Sequence, residues 1–503
     1  MKDHLMPPTP TIYTTEAGAL LETLIALHDT VHQRAEQLLT SWQPKLKRTA
    51  FADGARNLAH YLALREDDLR SLQISLMPWG LASMGHIESD VEEGLNAIID
   101  TLQSLQQGTP RPLPDYERYF RGEQQLVSET QHVLGPSPTN RRVHIMVTLP
   151  SEAAADGELI NQLLAAGMTC ARINCAHDDA KAWERMIGFI RQAQITLGRE
   201  CRILMDLAGP KVRTQRVSPK KHIFQQDETL LLTYGDVEKH NKDYPYQVSC
   251  SLPEVVRQVE VGQMVWFDDG AIGTKVERII AEGLVLTITE IGKVGWKLKP
   301  EKGINFPDTR LHIEALTVKD RTDLDFVAYH ADMIGYSFVQ SADDVILLQA
   351  ELSKRLGADA YKKAIIAKIE TQTAVTQLPE IIVQAAGQQP LGVMIARGDL
   401  AVEIGFDRLA EIQEEILWLC EAARIPVIWA TQVFEGLVKE GMPSRAEVSD
   451  AAMSERAECV MLNKGDFILK GVTTLDKILT RMGDHQFKRM ANLRALHSWQ
   501  SLP

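Results

Sequence analysis

Ala364-Ile365-Ile366-Ala367-Lys368-Ile369-Glu370 runs from four apolar residues directly into charge, and Val393-Met394-Ile395-Ala396-Arg397-Gly398-Asp399-Leu400 repeats the change twenty-nine residues on. An apolar run of strand length that ends in Lys, Glu, Arg and Asp is the form a buried parallel strand takes where it emerges into an active site. Lys368 and Glu370 are two apart, so on a strand both side chains point to one face. Taken alone, such a pair is ordinarily a solvated face or a structural ion pair. Its recurrence around a barrel would give it another meaning.

Working outward, the same kind of run appears eight times: Val143–Leu149, Cys170–Cys175, Arg202–Leu207, Asp332–Val339, Ala364–Ile369, Gly392–Ala396, Pro426–Thr431 and Cys459–Leu462. Most are followed by helical periodicity, which predicts an α/β fold, a (β/α)8 TIM barrel. About 125 residues separate the third run from the fourth. That gap holds short alternating segments, Thr229–Thr233, Gln263–Phe267, Thr274–Ile279 and Leu284–Thr289, with turns at Asp268-Asp269-Gly270 and Glu282-Gly283. It reads as a small β-rich domain inserted after strand three, on the catalytic face, where it is placed to act as a lid.

Before the barrel, Glu16–Trp42, Arg56–Gln73 and Asp90–Gln107 carry apolar residues at i, i+3 and i+4, which predicts an N-terminal helical domain for packing or partner binding. Pro110, Pro112, Pro114, Gly135, Pro136 and Pro138 mark a linker. The expected boundaries are 1–140 for the helical extension and linker, 141–214 and 304–485 for the barrel, 215–303 for the insertion and 486–503 for a tail.

The chain has 503 residues, enough for two or three domains, and a net charge of −13, which disfavours nucleic acid as a partner. Met1-Lys2-Asp3-His4-Leu5-Met6-Pro7-Pro8 has no apolar core of leader length and no run reaches membrane-spanning length, so a cytoplasmic protein without membrane contact is expected. The six cysteines form no Cys-x-x-Cys pair and read as reduced core residues.

The polar residues at the strand ends are Arg172 and Asn174, Asp206 with Lys211 and Arg213, Lys368 and Glu370, Arg397 and Asp399, Thr431, and Asn463 with Lys464. This mixture suits a hard divalent cation held by Glu370 and Asp399, with the cationic side chains facing an anionic substrate, the parts that phosphoryl transfer requires.

Seven segments carry a family resemblance: Arg172-Ile173-Asn174, Met205–Thr214, Lys302-Gly303-Ile304-Asn305, Ala367-Lys368-Ile369-Glu370, Ala396–Leu400, Ala430-Thr431-Gln432 and Ser444–Asp450. In kind and order they resemble pyruvate kinase, over roughly Arg141 to Leu479. The resemblance implies phosphoryl transfer from phosphoenolpyruvate to ADP, giving pyruvate and ATP. It implies that Glu370 and Asp399 bind Mg2+ (or Mn2+), that Arg172 and Lys368 neutralise the transferring phosphoryl group, and that Gly398, Asp399 and Thr431 line the substrate, with Thr431 near the face where the enolate is protonated. Arg213 and Lys302 would contact the nucleotide phosphates. Ser444 and Glu447 read as a helix-capping box, and His177 as a helix-start or core residue as readily as a site residue.

Two departures stand out. The family's monovalent-cation pocket keeps Asn174 and Asp206 but has Ala176 and Leu207 at its other positions, and Lys211 stands where many potassium-dependent members have Glu. A fixed ammonium can replace K+, so K+ is not expected to be required. The eighth-strand loop reads Leu462-Asn463-Lys464-Gly465-Asp466 in place of Leu-Ser-Gly-Glu-Thr, so Lys464 either adds a phosphate contact or marks a different substrate. The residues after Leu479 leave no room for the family's C-terminal α/β domain, which sets aside regulation by fructose 1,6-bisphosphate and makes the N-terminal helical region the candidate for homo-oligomer contacts. Two alternatives to the kinase stay open: a Mg2+-dependent lyase acting through a pyruvate enolate, and a non-catalytic regulatory homologue.

Overall fold

The computed structural model describes residues 17–108, 110–111, 113–219, 222–238, 241–292, 297–488 and 490–491. The leader reading of Met1–Pro8 and most of the expected tail lie outside these residues. Two compact units form: one runs to Glu129 and takes in Trp418–Ile425, and the other holds Thr130–Leu417 and the chain from Pro426.

In the second unit, eight parallel strands close into a barrel: β1 (His144–Thr148), β2 (Cys170–Asn174), β3 (Arg202–Asp206), β4 (Met333–Tyr336), β5 (Ala364–Ile369), β6 (Leu391–Ala396), β7 (Val427–Ala430) and β8 (Cys459–Leu462). Each pairs with its sequence neighbours, and β8 closes on β1 through His144 opposite Cys459. The barrel interior is filled by Met146, Cys170, Leu204, Met333, Ala364, Ile366, Met394, Ile428, Ala430, Cys459 and Met461. The period-two rule then fixes what lies above them. From Met146 it leads to Thr148, from Cys170 to Arg172 and Asn174, from Leu204 to Asp206, from Ile366 to Lys368 and Glu370, and from Met461 to Asn463. A polar layer therefore caps an apolar one at the carboxyl ends of the strands, the face on which barrel enzymes carry their sites.

The inserted domain is a seven-stranded sheet in the order Ile304–Asn305, Met264–Phe267, Ile272–Ile279, Gly283–Ile291, Thr229–Thr233, Gln247–Cys250, Thr214–Ser218, with its own core around Leu232, Val248, Phe267 and Leu286. The last two strands in that order and Ile304–Asn305 escape a sequence reading. Thr214–Ser218 is an edge strand with only one buried aliphatic residue, Val217, and Ile304–Asn305 is too short to show alternation. Asp268 and Asp269 both take left-handed φ values (55° and 53°), so the hairpin turn they form with Gly270 is tight. It reaches the barrel, where a Cβ built on Gly270 would lie 3.3 Å from Val402.

In the first unit, Ala17–Trp42 buries Leu20, Leu24, Val31, Ala35 and Trp42, and Val91–Gln107 buries Leu95, Ile98 and Leu102 at the same spacing. The continuous helix expected over Arg56–Gln73 is instead two, Ala52–Leu64 and Arg70–Leu76. Arg65-Glu66-Asp67-Asp68 interrupts the apolar face, and Asp68 accepts from the Arg70 backbone at 3.1 Å, a turn contact that competes with helix. Asn57 holds this unit together from inside, donating to Glu88 O (2.7 Å) and Ala422 O (2.9 Å) and accepting from Val91 N (2.8 Å). The expected linker also needs correction, because Arg121–Leu134 is helical. The end of that helix, Val133 and Leu134, packs into the bottom layer of the barrel interior.

All six cysteines are free and buried. No described helix is long and apolar enough to cross a membrane.

Candidate active site

Asp206 is the centre of the polar layer. Its carboxylate accepts from Arg172 Nε at 2.8 Å, lies 2.6 Å from Arg172 Nη2 and 3.3 Å from Lys368 Nζ, and accepts from Ser337 Oγ at 3.3 Å. Burial alone would raise its proton affinity, but the Lys368 and Arg172 charges outweigh burial and hold it below the usual carboxylate range. The strand beside it has glycine where a side chain cannot fit: a Cβ on Gly335 would stand 2.5 Å from Asp206 Oδ1. Arg172 is completed by Thr148 Oγ1 at 3.0 Å.

Lys368 also lies 3.2 Å from Glu370 and donates to Ser337 at 2.7 Å. Burial works against its charge, yet Asp206 and Glu370 more than offset it, so the ammonium is held above its ordinary range. Glu370 differs from Asp206. Burial raises its proton affinity, Lys368 opposes that, and Asp399 adds to it. Phe338, at a left-handed φ of 56°, turns its backbone N–H onto Glu370 at 2.6 Å. Such strain in a non-glycine residue is characteristic of functional sites.

Asp399 begins the helix Arg397–Ile404 and binds Lys211 Nζ at 2.7 and 3.0 Å, while Asp269 of the inserted hairpin is 3.8 Å from the same ammonium. Of the three residues assigned to a monovalent-cation pocket or its replacement, Asn174 and Asp206 face each other in the β2–β3 register. Lys211 does not join them: its ammonium sits on Asp399. Asn174 itself turns to accept from Ala176 N at 3.1 Å.

Arg397, expected to face an anionic substrate, has another task. It is buried, pairs with Asp450 through both terminal nitrogens, and donates to Ala430 O (3.0 Å) and Thr431 O (2.6 Å). These bonds pin the loop in which Thr431 and Gln432 take left-handed φ values of 65° and 56°. Thr431 Oγ1 then accepts from Gly398 N at 2.8 Å. The predicted nucleotide contacts lie on the inserted domain's hinge: Lys302 pairs with Asp268 at 2.8 Å and Arg213 donates to Glu301 O at 3.2 Å. Ser444 and Glu447 do form a capping box.

Sequence reading missed Thr148, Ser337, Gly335 and Phe338. The first two were within reach, because each stands two residues beyond an inward-facing position of its own strand or strand extension. Gly335 and Phe338 act through backbone geometry and leave no composition signal.

A cavity of about 270 Å3 opens over this layer, lined among others by Thr148, Arg172, Asn174, His177, Thr431 and Lys464. Burial, followed by the Lys464 charge, lowers the proton affinity of His177. A second cavity, of about 360 Å3, lies at the foot of the inserted domain and is lined by Lys211, Asn305, Arg310, Phe338, Thr371 and Glu403 among others.

The donor chemistry fits a small hard cation. Asp399 raises the proton affinity of the buried Glu370, as two carboxylates close together do, and no cluster of three or more His, Cys, Asp or Glu able to hold a metal occurs among the described residues. Two protein carboxylates, with water and substrate oxygens completing the shell, is the arrangement Mg2+ accepts.

Residues 140–468 match the family model described as pyruvate kinase, barrel domain. The chain is 32% identical over 348 residues to a pyruvate kinase of Geobacillus stearothermophilus, which covers 68% of this chain and 57% of that protein. It is 33% identical over 350 residues to one from Methylorubrum extorquens (67% and 68% covered), and 31% identical over 372 residues to one from Thermococcus litoralis (72% and 74% covered). The match thus spans little more than half of the first of these relatives.

Proposed function

This chain belongs to the pyruvate kinase family, and we propose that it transfers a phosphoryl group from phosphoenolpyruvate to ADP, yielding pyruvate and ATP as a cytoplasmic glycolytic enzyme. The observation that supports this most is the buried Arg172–Asp206–Lys368–Glu370 array with Asp399 beside it. A guanidinium and an ammonium are held there by one carboxylate, next to two carboxylates that suit Mg2+.

The P–O bond to the enolpyruvate oxygen breaks, a new P–O bond forms to a terminal ADP oxygen, and the enolate takes a proton, drawn from solvent, at its methylene carbon. Arg172 and Lys368 neutralise charge on the transferring group, and Asp206 fixes both, so no reorganisation is needed as charge moves. Thr431, held by Arg397 and Gly398, places a hydroxyl at the methylene side. Mg2+ held by Glu370 and Asp399 would supply Lewis-acid stabilisation of the enolate oxygen. The inserted domain, closing through its Asp268–Gly270 hairpin, would exclude water that competes with ADP. The hinge residues Arg213 and Lys302 favour a kinase over a lyase, because a lyase needs no nucleotide clamp.

A lactate-dehydrogenase-coupled assay with phosphoenolpyruvate, ADP and Mg2+ tests the reading. ADP-dependent pyruvate formation is expected, and Glu370→Ala should remove it. Pyruvate release that ignores ADP would be hydrolysis of phosphoenolpyruvate, with the phosphoryl group going to water, and would overturn the transfer reading.

Although Lys211 sits on Asp399 and not between Asn174 and Asp206, it still supplies a fixed ammonium at the site mouth, so turnover should change less than about threefold when K+ replaces tetramethylammonium. A large increase with K+ would show that Lys211 does not substitute for it.

A further inference from the structure

The cations of the polar layer are already committed: Arg172 to Asp206, Lys368 to Asp206 and Glu370, Lys211 to Asp399, and Arg397 to Asp450. On the hinge, Lys302 is committed to Asp268, and Arg213 donates to the Glu301 carbonyl. Lys464 is different. It is exposed at the rim of the 270 Å3 cavity, directly after β8, and makes no hydrogen bond or ion pair with a described residue. The cavity's acid, Asp178, is engaged by Ser151 Oγ at 3.0 Å. Lys464 therefore brings to this rim a positive charge with no ionic partner of its own among the described residues, and after burial it is the charge that most lowers the proton affinity of His177, against the opposing pull of Asp178.

We propose that Lys464 clamps the terminal phosphate of the acceptor nucleoside diphosphate, moving part of the nucleotide-phosphate contact from the hinge to the eighth-strand loop. This assignment rests on the phosphotransfer reading. The floor of the cavity, where Arg172 lies, receives the donor phosphoryl group, and the exposed rim is where a second substrate approaches. Two phosphates that must come into line repel one another, and an unpaired ammonium at the rim offsets that repulsion on the acceptor side. Lys464 acts by positioning, with no proton transfer of its own.

The test compares wild type with Lys464→Met, which keeps length and removes charge, and Lys464→Arg, which restores charge. KM for ADP and for phosphoenolpyruvate is measured in the coupled assay, and Mg2+-ADP binding is measured by calorimetry without phosphoenolpyruvate. Lys464→Met should weaken ADP binding and raise KM for ADP by about tenfold, the scale of one lost charge-assisted contact, with KM for phosphoenolpyruvate within about twofold. Lys464→Arg should recover most of the loss. Unchanged ADP affinity in Lys464→Met, or an equal rise in both KM values, overturns the assignment. The calorimetric arm needs no turnover, so a wild type that binds ADP but makes no pyruvate would sink the phosphotransfer reading while the Lys464 contact is still decided by binding.

Discussion

Lys368→Met should lower kcat by about a hundred- to a thousandfold, the scale found when a preorganised donor is removed from a transition state. The coupled assay at saturating substrates measures it. The geometry gives a reason for so large an effect. Lys368 is the link between Asp206, which fixes Arg172, and Glu370, on the metal side. Removing the ammonium takes one charge from the phosphoryl group and leaves two buried carboxylates facing each other across the gap. Breaking a buried pair by deleting one partner ordinarily costs about 3–5 kcal/mol. Glu370 would meet this by taking up a proton, since burial and Asp399 already push it that way. The variant should therefore lose stability in urea unfolding, and lose more of it at pH 8 than at pH 5. A variant with unchanged kcat would show that Lys368 is a structural counter-ion only.

Much of this site was legible because a barrel strand obeys a simple geometric rule. Once Ala364–Glu370 is taken as a buried strand, Lys368 and Glu370 must share the inward face, and so must Arg172 and Asp206 on theirs. What side chains do beyond the strand ends was not legible. Arg397 sits in the most conspicuous charged motif of the chain, yet its guanidinium turns to Ala430, Thr431 and Asp450. Its role depends on a helix some fifty residues later in sequence. Lys211 likewise chose Asp399 over Asn174 and Asp206, a choice set by the hinge path rather than by any local pattern. In the helical N-terminal region periodicity located the long helices. It missed Arg121–Leu134, whose buried residues are few and whose flanking prolines and glycine resemble a linker.

Glu403 carries the second large expectation. It ends the helix that begins beside Asp399, and its carboxyl accepts from Asn305 Nδ2 at 3.2 Å, tying that helix to the returning strand of the inserted domain. The residue as a whole is partly exposed, but the carboxyl end is enclosed, and burial pushes its pKa from 4.5 to about 7. The folded protein therefore holds this proton where the unfolded chain has released it. Stability linked to Glu403 is present below pH 4.5 and is lost as pH rises through about 7. The whole shift corresponds to about 3 kcal/mol, and its share between pH 5 and pH 8 to about 2–3 kcal/mol. Glu403→Gln keeps the acceptor for Asn305 and cannot ionise, so in metal-free urea unfolding it should gain on wild type by that amount between pH 5 and pH 8. Comparing the two proteins at each pH cancels the titration of groups that Glu403 does not touch. A difference that stays flat with pH would mean that the carboxyl is solvated in solution and that the strap between helix and inserted domain is looser than its hydrogen bond suggests. A difference that grows as expected has a functional corollary: ionisation of Glu403 adds negative charge one helical turn from Asp399, so the same rise in pH should tighten Mn2+ binding more in wild type than in Glu403→Gln, where only the ligand carboxylates still titrate.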